Sequence, residues 1–505
     1  MADEATKTQT QGGAAQEVSA LDDLFRKVDL TPPTEAVDIG KAVASDSASG
    51  RLSLAVSHLV HAVAAEGRQV DKLDKVLVDE MIAALDEKLS DQINEVLHDA
   101  KFQQLESAWR GLKFLVDKTD FRKNVKIEVL NCSKEALRED FEDAPEPVQS
   151  GLYNQIYKQE YDQPGAEPVG AIIANYEFGR GPQEIALLQN VSKVAAATHA
   201  PFISSVGHEF FGLKSIDDLP NVPDLAPIFE QAEYTKWNAF RDSEDSRYVG
   251  LTTPRFLLRL PYGPETVPVK SFNFQERVTG EEHGKYLWGN ASFAFAANMT
   301  RSFADNGWCV NIRGPKAGGL VEDMPLHLYE SGGDKAVKIP TEVLVSDRRE
   351  FEMAELGFIP LSFYKNKDYA SFFSAHSAQR PKKYNTPEAT ANSRLCANLP
   401  YLFLVSRLAH YLKVIQRENI GAAKEEAELK TELETWLKGL VTQLPNPGPE
   451  QKAKWPLRAA SVVVTPNPAN PGFYHVEMRV RPHFQIEGVD VSLSLVSRLP
   501  RAKKG

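Results

Sequence analysis

A strand–helix–strand succession in residues 169–207 restricts the fold of this chain more than any other feature. The run VGAIIANY at 169–176 is largely apolar, which predicts a buried strand. Residues 182–200 carry a helical apolar stripe and open with a proline, which suits the first turn of a helix. PFISSVG at 201–207 then predicts a second buried strand. A helix that joins two such strands predicts a parallel pair, so we expect an α/β domain at the centre of the chain.

Apolar patterns predict further elements around this unit. We expect strands at 256–263, 308–314, 341–346 and 358–364, and helices near 224–240, 286–305 and 347–356. The pattern from 51 to 117 is helical, with one apolar stripe of Leu73, Val76, Leu77, Met81, Ala84 and Leu85 and another of Phe102, Leu105, Trp109 and Leu112. VKIEVL at 125–130 alternates in polarity and predicts a strand, and a second helical block covers 390–438.

The pattern predicts β-structure after the proline-rich break at 445–450. Strands are expected at 461–465, 473–482 and 489–499. The last two alternate regularly, with apolar positions at Tyr474, Val476, Met478 and Val480, and at Val489, Val491, Leu493 and Leu495. An open edge strand promotes aggregation unless it is paired. The last strand is therefore either an edge of the chain's own sheet or a strand that pairs with a neighbouring subunit.

These patterns predict an α+β fold in four parts. We expect a flexible N-terminal arm at 1–50, a helical region with a small β element at 51–165, a central α/β domain with a mixed sheet at 166–385, and a C-terminal domain of helices and strands at 386–505.

The arm contains a short amphipathic helix in which Leu21, Leu24, Phe25 and Val28 form one stripe. Two prolines, Pro32 and Pro33, follow it. Because helices this short are marginal in water, we expect it to dock either on its own domain or in a groove of another protein.

Charge and cysteine content exclude several classes of function. With 58 Lys and Arg against 69 Asp and Glu, the formal charge is −11, which makes the chain a poor general binder of nucleic acid. Three cysteines without CxxC spacing predict neither a disulfide framework nor a zinc knuckle. The first residues lack the apolar region of a signal peptide, and no stretch approaches the roughly 18 apolar residues of a membrane span. We therefore expect a cytoplasmic protein without direct membrane insertion.

The search for catalytic and ligand-binding motifs does not support an enzyme. The patterns GxSxG and GxxxxGK[ST] are absent. Gly179 and Gly181 lie between a predicted strand and helix, as in a phosphate loop, but the third glycine is missing. His58 and His61 share a predicted helix face, yet their apolar neighbours favour packing over metal binding. We therefore predict no catalytic residue, no cofactor and no metal.

Several long strings resemble the large subunit of the contractile sheath of bacterial type VI secretion systems, the ImpC/EvpB/VipB family. The most specific is LHDAKFQQLESAWRGLKFLVDKT at 97–119, with its Phe-x-x-Leu-Glu-x-x-Trp-Arg-Gly-Leu core. Similar strings occur at 174–204, 237–251, 256–263, 287–319 and 391–414. The resemblance spans most of residues 50–500 and implies a structural, phage-tail-like subunit with a C-terminal domain of the contractile-sheath type.

The resemblance also implies a set of protein partners. The family's large subunit forms a heterodimer with a small sheath subunit, and the heterodimers polymerise helically from a baseplate around an inner tube of hexamer rings. Neighbouring subunits exchange terminal strands, and 473–482 and 489–499 occupy the corresponding place. A Clp-family AAA+ unfoldase binds a short N-terminal helix, and residues 19–28 correspond to it.

Contact with the inner tube is assigned to the charged segment 422–438 and to the basic end of the chain. The candidate residues are Lys424, Glu425, Glu428, Lys430, Arg501, Lys503 and Lys504. A plain exposed helix and a solubilising tail are the alternatives for these two segments.

Two other functions stay open from the sequence. The central α/β region could carry a hydrolase or transferase, which predicts a polar pocket near Gly179 or Gly314. The chain could also be an adaptor that binds the unfoldase without polymerising.

Overall fold

The computed structural model describes residues 75–422, 424–466, 474–483 and 485. The longer helices are α1 (Lys75–Leu97), α2 (Ala100–Asp117), α3 (Lys134–Asp143), α4 (Pro182–Thr198), α5 (Thr235–Arg241), α6 (Ala291–Asn306), α7 (Asp347–Glu355), α8 (Pro387–Cys396), α9 (Leu399–Glu418), α10 (Glu426–Lys438) and α11 (Pro449–Lys454). Shorter helical turns lie at Phe121–Lys123, Pro147–Gln149, Gly151–Tyr153, Asn154–Gln159, His208–Phe211, Ile216–Asn221, Ala226–Phe229, Ala232–Tyr234, Asp245–Tyr248 and His283–Lys285.

Local sequence explains where several of these helices begin and end. The Asn290 side chain accepts a hydrogen bond from Ser292 N at 2.9 Å and so caps the start of α6. Gly307, with a φ of 77°, ends the same helix in the left-handed region that glycine tolerates. Pro182 occupies the first turn of α4, as its fixed φ favours.

The strands are β1 (Ile172–Phe178), β2 (Phe202–Val206), β3 (Val249–Thr253), β4 (Phe256–Leu257), β5 (Trp288–Gly289), β6 (Leu320–Val321), β7 (His327–Ser331), β8 (Asp334–Lys338), β9 (Ile359–Phe363), β10 (Ala370–Phe372), β11 (Leu457–Pro466) and β12 (Tyr474–Pro482). Six of them form a sheet in the order β1-β2-β3-β9-β10-β6. The pairs from β1 to β9 are parallel, whereas β10 is antiparallel to both of its neighbours. The predicted strand–helix–strand unit and the mixed central sheet are confirmed.

Side chains alternate between the two faces of this sheet and fill two separate cores. Phe202 and Val206 of β2 point into a core with α4 and an aromatic group around Trp237, whereas Ile203 points into a core with α6. In the aromatic group the Trp237 and Phe358 rings stack at 5.7 Å between centroids. The sheet is therefore covered by helices on both faces, as parallel strands require.

Helix α2 approaches α6 closely enough that only glycine fits at the contact. A Cβ atom on Gly111 would lie 2.5 Å from Cδ2 of Phe293. Gly111 belongs to the Trp-Arg-Gly-Leu string singled out above, so this part of the string serves helix packing.

Three predicted strands are not part of any sheet, and a fourth is shortened. Of 256–263, only Phe256–Leu257 forms a strand. Residues 308–314 form a turn and irregular backbone, and Gly314 has a φ of 74°. In 341–346 the apolar Val343 and Val345 are buried in the core without strand pairing, so alternation there reflects burial alone. Residues 125–130 also lie outside the sheets.

The described residues form two compact units, 75–99 with 261–277 and the remaining residues. Within the smaller unit, the side-chain amide of the buried Asn94 of α1 binds the segment 261–277 through both its nitrogen and its oxygen. Its nitrogen donates to Gln275 O at 3.3 Å, and its oxygen accepts from Arg277 N at 3.0 Å. The four domains proposed from the sequence stay a prediction.

Candidate functional site: surfaces for assembly

The C-terminal strands form a two-stranded antiparallel ribbon in the larger unit. Val462 of β11 lies opposite Met478 of β12, and Val464 lies opposite Val476. One face of the ribbon packs on a core that includes Leu433 and Leu437 of α10. The four predicted positions of β12 face this core and are half-buried, namely Tyr474, Val476, Met478 and Val480. Their side chains therefore pack within the subunit.

Along most of their length, the two strands of the ribbon pair only with each other within the described part of the chain. Among the described residues, β12 pairs with β11 alone, and β11 has one further bridge, from Leu457 to Val441 at its first residue. The outer N–H and C=O groups of both strands thus present two rows of donors and acceptors that another strand can use. The predicted last strand, with Val489, Val491, Leu493 and Leu495, lies outside the described residues.

The chain is fastened to the core immediately after β12. Arg313 Nε donates to Gln485 Oε1 at 2.9 Å, and Gln485 Nε2 donates to Val310 O at 3.0 Å. The Tyr401 hydroxyl accepts from Gln485 N at 2.8 Å and donates to His483 O at 3.3 Å. We call this set of contacts the Gln485 clasp. It fixes the point from which the remaining residues of the chain start.

Sequence reasoning missed the clasp. Its arginine lies in the segment 308–314, which was predicted to be a strand. In the structure, Gly314 N donates to Phe372 O at 2.7 Å and Phe372 N donates to Gly319 O at 2.9 Å, so these backbone groups bind β10. No local sequence pattern pairs an arginine with a glutamine 172 residues later.

The predicted tube-contacting residues of this segment lie at or near the start of α10, and several already form contacts within the chain. Glu425 and Glu428 form a capping box that satisfies the first turn. Lys424 Nζ contacts Asn419 Oδ1 at 2.6 Å and Glu432 Oε2 at 2.9 Å. Beside them the helix borders a shallow depression of about 850 Å³ lined by Lys424, Ala427, Glu428, Thr431, Glu432, Thr435 and Trp436. Arg501, Lys503 and Lys504 lie outside the described residues.

The glycine turn before α4 does not offer a free anion site. Gly179 N donates to the carboxylate of Glu184 at 3.4 Å, and Lys134 Nζ contacts the same oxygen at 2.8 Å. The helix therefore carries its own negative charge at the end where a phosphate would bind.

A buried ion-pair network in the larger unit is centred on Glu342. Burial acts to raise the pKa of Glu342, but hydrogen bonds and charge from His283 and Arg255 lower it to about 2. The carboxylate accepts from Arg255 at 2.7 Å and contacts His283 Nε2 at 3.1 Å. The network joins β4 to its neighbouring segments and so stabilises the fold.

Neither a metal cluster nor a membrane helix occurs in the part of the chain that the structure describes. It contains no group of three or more His, Cys, Asp and Glu residues that could hold a metal ion. None of its helices is both long enough and apolar enough to cross a bilayer. His58 and His61, and the arm positions Leu21, Leu24, Phe25 and Val28, lie outside the described residues.

Helix α2 displays apolar side chains to solvent. Leu105 is 57% exposed and Trp109 is 65% exposed, although both were predicted to form part of an apolar stripe. The buried side of α2 is formed instead by Gly111 and Leu115. Exposed aromatic and aliphatic side chains of this size mark surfaces used for association.

Matches to family models define the class of the protein. A model described as the EvpB/VC_A0108 tail sheath N-terminal domain matches residues 79–379, and one described as the tail sheath gpW/gp25-like domain matches 388–499. The chain therefore belongs to the EvpB/VC_A0108 family of tail sheath proteins. A curated relative, the type VI secretion system sheath protein TssC1 of Pseudomonas aeruginosa, is 46% identical over 431 residues, which are 85% of this chain and 86% of the relative.

Solved structures of contractile injection systems are also similar. A chain of the anti-feeding prophage baseplate matches with 10% identity and a TM-score of 0.33, covering 62% of this chain and 66% of that one. A chain of the contracted PVC sheath complex of an extracellular contractile injection system matches with 9% identity and a TM-score of 0.33, covering 60% and 68%.

Proposed function

We propose that the chain is a structural subunit of a cytoplasmic contractile secretion sheath and has no enzymatic role. It pairs with a small sheath subunit, polymerises helically from a baseplate around an inner tube, and contracts to propel that tube out of the cell. The observation that carries this proposal is the C-terminal ribbon of a tail sheath family chain, in which β12 pairs with β11 alone among the described strands.

The ribbon supports a specific way of linking subunits. Residues 489–499 alternate in polarity like a strand and follow the Gln485 clasp directly. When one subunit donates this strand to the ribbon of the next, main-chain hydrogen bonds join the two copies. A head-to-tail contact of this kind builds a helical filament when its rotation does not close into a ring.

Contraction is then a rigid-body rearrangement of subunit cores that stay connected by the exchanged strands. The covered central sheet keeps its shape during this movement, while the contacts between cores change. Each subunit has to contribute only a few kcal/mol, because many copies move together.

Co-expression with a small sheath subunit tests the proposal. Negative-stain images of the purified material should contain hollow, ridged tubes. Monomers or small oligomers without tubes would contradict it. Binding to the unfoldase in the absence of tubes would instead favour the adaptor function.

Truncation tests the exchanged strand. Removing residues 489–505 should abolish tubes and leave the heterodimer, because the donated strand is lost while the clasp and the ribbon remain. Removing only 501–505 is the matched control, since it deletes the basic end and keeps the strand. Tubes formed by the longer truncation would reject strand exchange.

The arm helix is proposed as the unfoldase-binding segment. Replacing Leu24 and Phe25 with Asp should leave tube assembly intact and remove binding of the Clp-family unfoldase, because the apolar stripe is lost. Arg26→Asp, on the opposite face of the predicted helix, is the control that should still bind. An unchanged pull-down with the double variant would exclude this helix.

Helix α10 and the basic end are proposed as contacts for the inner tube. Lys430 is half-exposed and lies 4.0 Å from Glu434, so its charge remains available to a partner. Lys430→Glu should weaken retention of the tube protein inside assembled sheaths without preventing their assembly. Lys438→Glu, at the other end of α10, serves as the matched charge reversal.

A further inference from the structure

Helix α1 exposes apolar side chains and buries polar ones. Ile82, Leu85 and Leu89 are between 38% and 47% exposed, whereas Ser90 and Asn94 are buried. Spacings of three and four residues place the exposed apolar positions in one row along the helix, which we call the α1 seam. A row of this kind is typical of a helix that packs on another helix.

The segment 261–277 covers a different side of α1. It binds Asn94 through both atoms of the side-chain amide. Arg277 Nη1 lies 2.5 Å from Asp91 Oδ1, and Asn273 N donates to Asp86 Oδ2 at 3.3 Å. These contacts are polar, and they leave the α1 seam exposed.

The residues immediately before α1 need burial of their own. The stretch 52–65 contains no Asp, Glu, Lys or Arg, and it carries Leu52, Val56, Leu59 and Val63 at helical spacing. A helix without a charged face is buried rather than surrounded by water. Residues 51–74 lie outside the described residues, so this expectation comes from the sequence.

The connection between this stretch and α1 is short. Gly67 follows the stretch after a single glutamate, and glycine is common just beyond the end of a helix. Residues 67–74 then lead to Lys75, where α1 begins. Connections of up to about eight residues are usual between adjacent helices of a bundle. A connection of this length favours a return along α1.

The two apolar rows have matching positions. In a pair of antiparallel helices, residues equally far from the middle of the connection lie side by side, because both helices rise about 1.5 Å per residue. The middle of 67–74 lies between Val70 and Asp71. The apolar residues equally far from it form three pairs, Leu59 with Ile82, Val56 with Leu85, and Leu52 with Leu89. Each residue of the α1 seam therefore has an apolar counterpart in the preceding stretch.

We infer that residues 52–66 form a helix that packs antiparallel on the α1 seam of the same chain. A helix from another copy or another protein would have to compete with this segment, whose tether gives it a high effective concentration. The inference goes beyond the proposed function, which assigns a role to residues 19–28 but not the place where the arm leaves the subunit. With Leu52 beside Leu89, the arm leaves from the second half of α1.

Disulfide formation in the purified full-length chain tests the pairing. Val56→Cys combined with Leu85→Cys places two thiols at a predicted contact, so mild oxidation should link them. Val56→Cys combined with Val96→Cys is the matched control, because position 96 lies roughly 16 Å farther along α1. We expect at least about tenfold more linkage in the first pair. Peptide mapping by mass spectrometry distinguishes these links from any that involve the native cysteines.

Two results of this experiment would overturn the inference. Equal linkage in the two pairs would reject the register. In a mixture of isotope-labelled and unlabelled chains, links that join the two kinds of chain would show that residues 52–66 pack on a neighbouring copy instead.

Hydrogen exchange in the same full-length chain provides a second test. Amides of residues 52–66 should exchange on the order of 100-fold more slowly than those of an unstructured chain, because an undocked helix of this length is marginal in water. Leu85→Asp should reduce this protection about tenfold or more, since it places a charge in the seam. Ala84→Asp places the same charge at an exposed position outside the seam and should leave the protection unchanged.

The exchange of α1 itself provides the folding control. Slow exchange at 90–97 in both variants shows that α1 remains folded, and if Leu85→Asp unfolds α1, the disulfide pairs decide. Rapid exchange of 52–66 in the unmodified chain would overturn the inference. Protection of 52–66 that survives Leu85→Asp in a folded α1 would also overturn it, because the segment would then pack elsewhere.

Discussion

The central sheet and the C-terminal ribbon use similar strands in opposite ways. Every residue of β2 and β3 is buried, and each of these strands has a neighbour on both sides. In β12, exposed residues alternate with half-buried ones, and β11 is its single partner among the described strands. The comparison separates two tasks within one chain. The sheet holds the subunit together, whereas we propose that the ribbon pairs with another chain.

The largest loss of stability should follow truncation in the aromatic core beside the sheet. Trp237 is 1% exposed and lies 4.9 Å from the Phe210 ring between centroids. Trp237→Ala should lower the free energy of unfolding of the heterodimer by about 3–5 kcal/mol, because it leaves a large cavity. Urea denaturation measures the change. Tyr384→Ala, at an exposed loop position, is the control and should change stability by less than about 0.5 kcal/mol.

A smaller loss of stability should follow replacement of Arg241, whose buried guanidinium binds backbone carbonyls in the same region. Arg241 donates to Glu355 O at 2.7 Å and to Ala378 O at 3.1 Å, and burial lowers its pKa to about 10. Arg241→Met should cost about 2–3 kcal/mol, because two buried carbonyls lose their donors. Arg122→Met, at an exposed turn, should be nearly neutral in the same denaturation experiment. Equal effects would show that burial of Arg241 does not matter.

Acid should weaken the contact between α4 and α9. Burial, together with the nearby charges of Arg407 and Lys413, lowers the pKa of His410 from its ordinary 6.5 to about 4, and its Nε2 lies 2.9 Å from Thr198 O. The neutral form is the folded one, so its stabilising effect is present above pH 6.5 and is lost as the pH falls towards 4.

Between pH 7.5 and 5, this group should remove about 2 kcal/mol of stability. His410→Gln keeps a donor for Thr198 and should flatten the dependence of unfolding free energy on pH by that amount. His475→Gln, on the exposed face of the ribbon, should leave the pH dependence unchanged. An unaltered slope in the His410 variant would contradict this assignment.

The smallest effect should come from the ribbon itself. Met478 is only half-buried, so Met478→Ala should cost about 1 kcal/mol or less of stability. Tube formation should persist, because strand exchange depends on main-chain groups. Arg479→Ala, its exposed neighbour, is the control. A loss as large as that of Trp237→Ala would break the comparison between sheet and ribbon.

The periodicity of apolar residues predicted those elements whose buried side appears as a regular pattern in the sequence. The unit β1–α4–β2 and helices α6 and α7 were placed within a few residues, because burial on both sides of the sheet gives a clear pattern. At 341–346, burial produced alternation without a strand. At 125–130 the strand-like pattern was present, but the segment pairs with none of the described strands.

Contacts between distant residues could not be predicted in this way. The Gln485 clasp depends on Arg313 and Tyr401, which the fold alone brings together. The exposure of Trp109 could not be predicted either, because an apolar stripe does not show whether the residues that pack on it belong to the same chain. In both cases the missing information is tertiary.

The Gln485 clasp also determines how the subunit would bear tension. A pull on the residues that follow it reaches the core through Arg313, Val310 and Tyr401 before it reaches the hydrogen bonds of β12. The hydrogen bonds between β11 and β12 are then protected from breaking one after another. Traction along a row of linked subunits would pass from core to core, so the joints could stretch and rotate without unravelling.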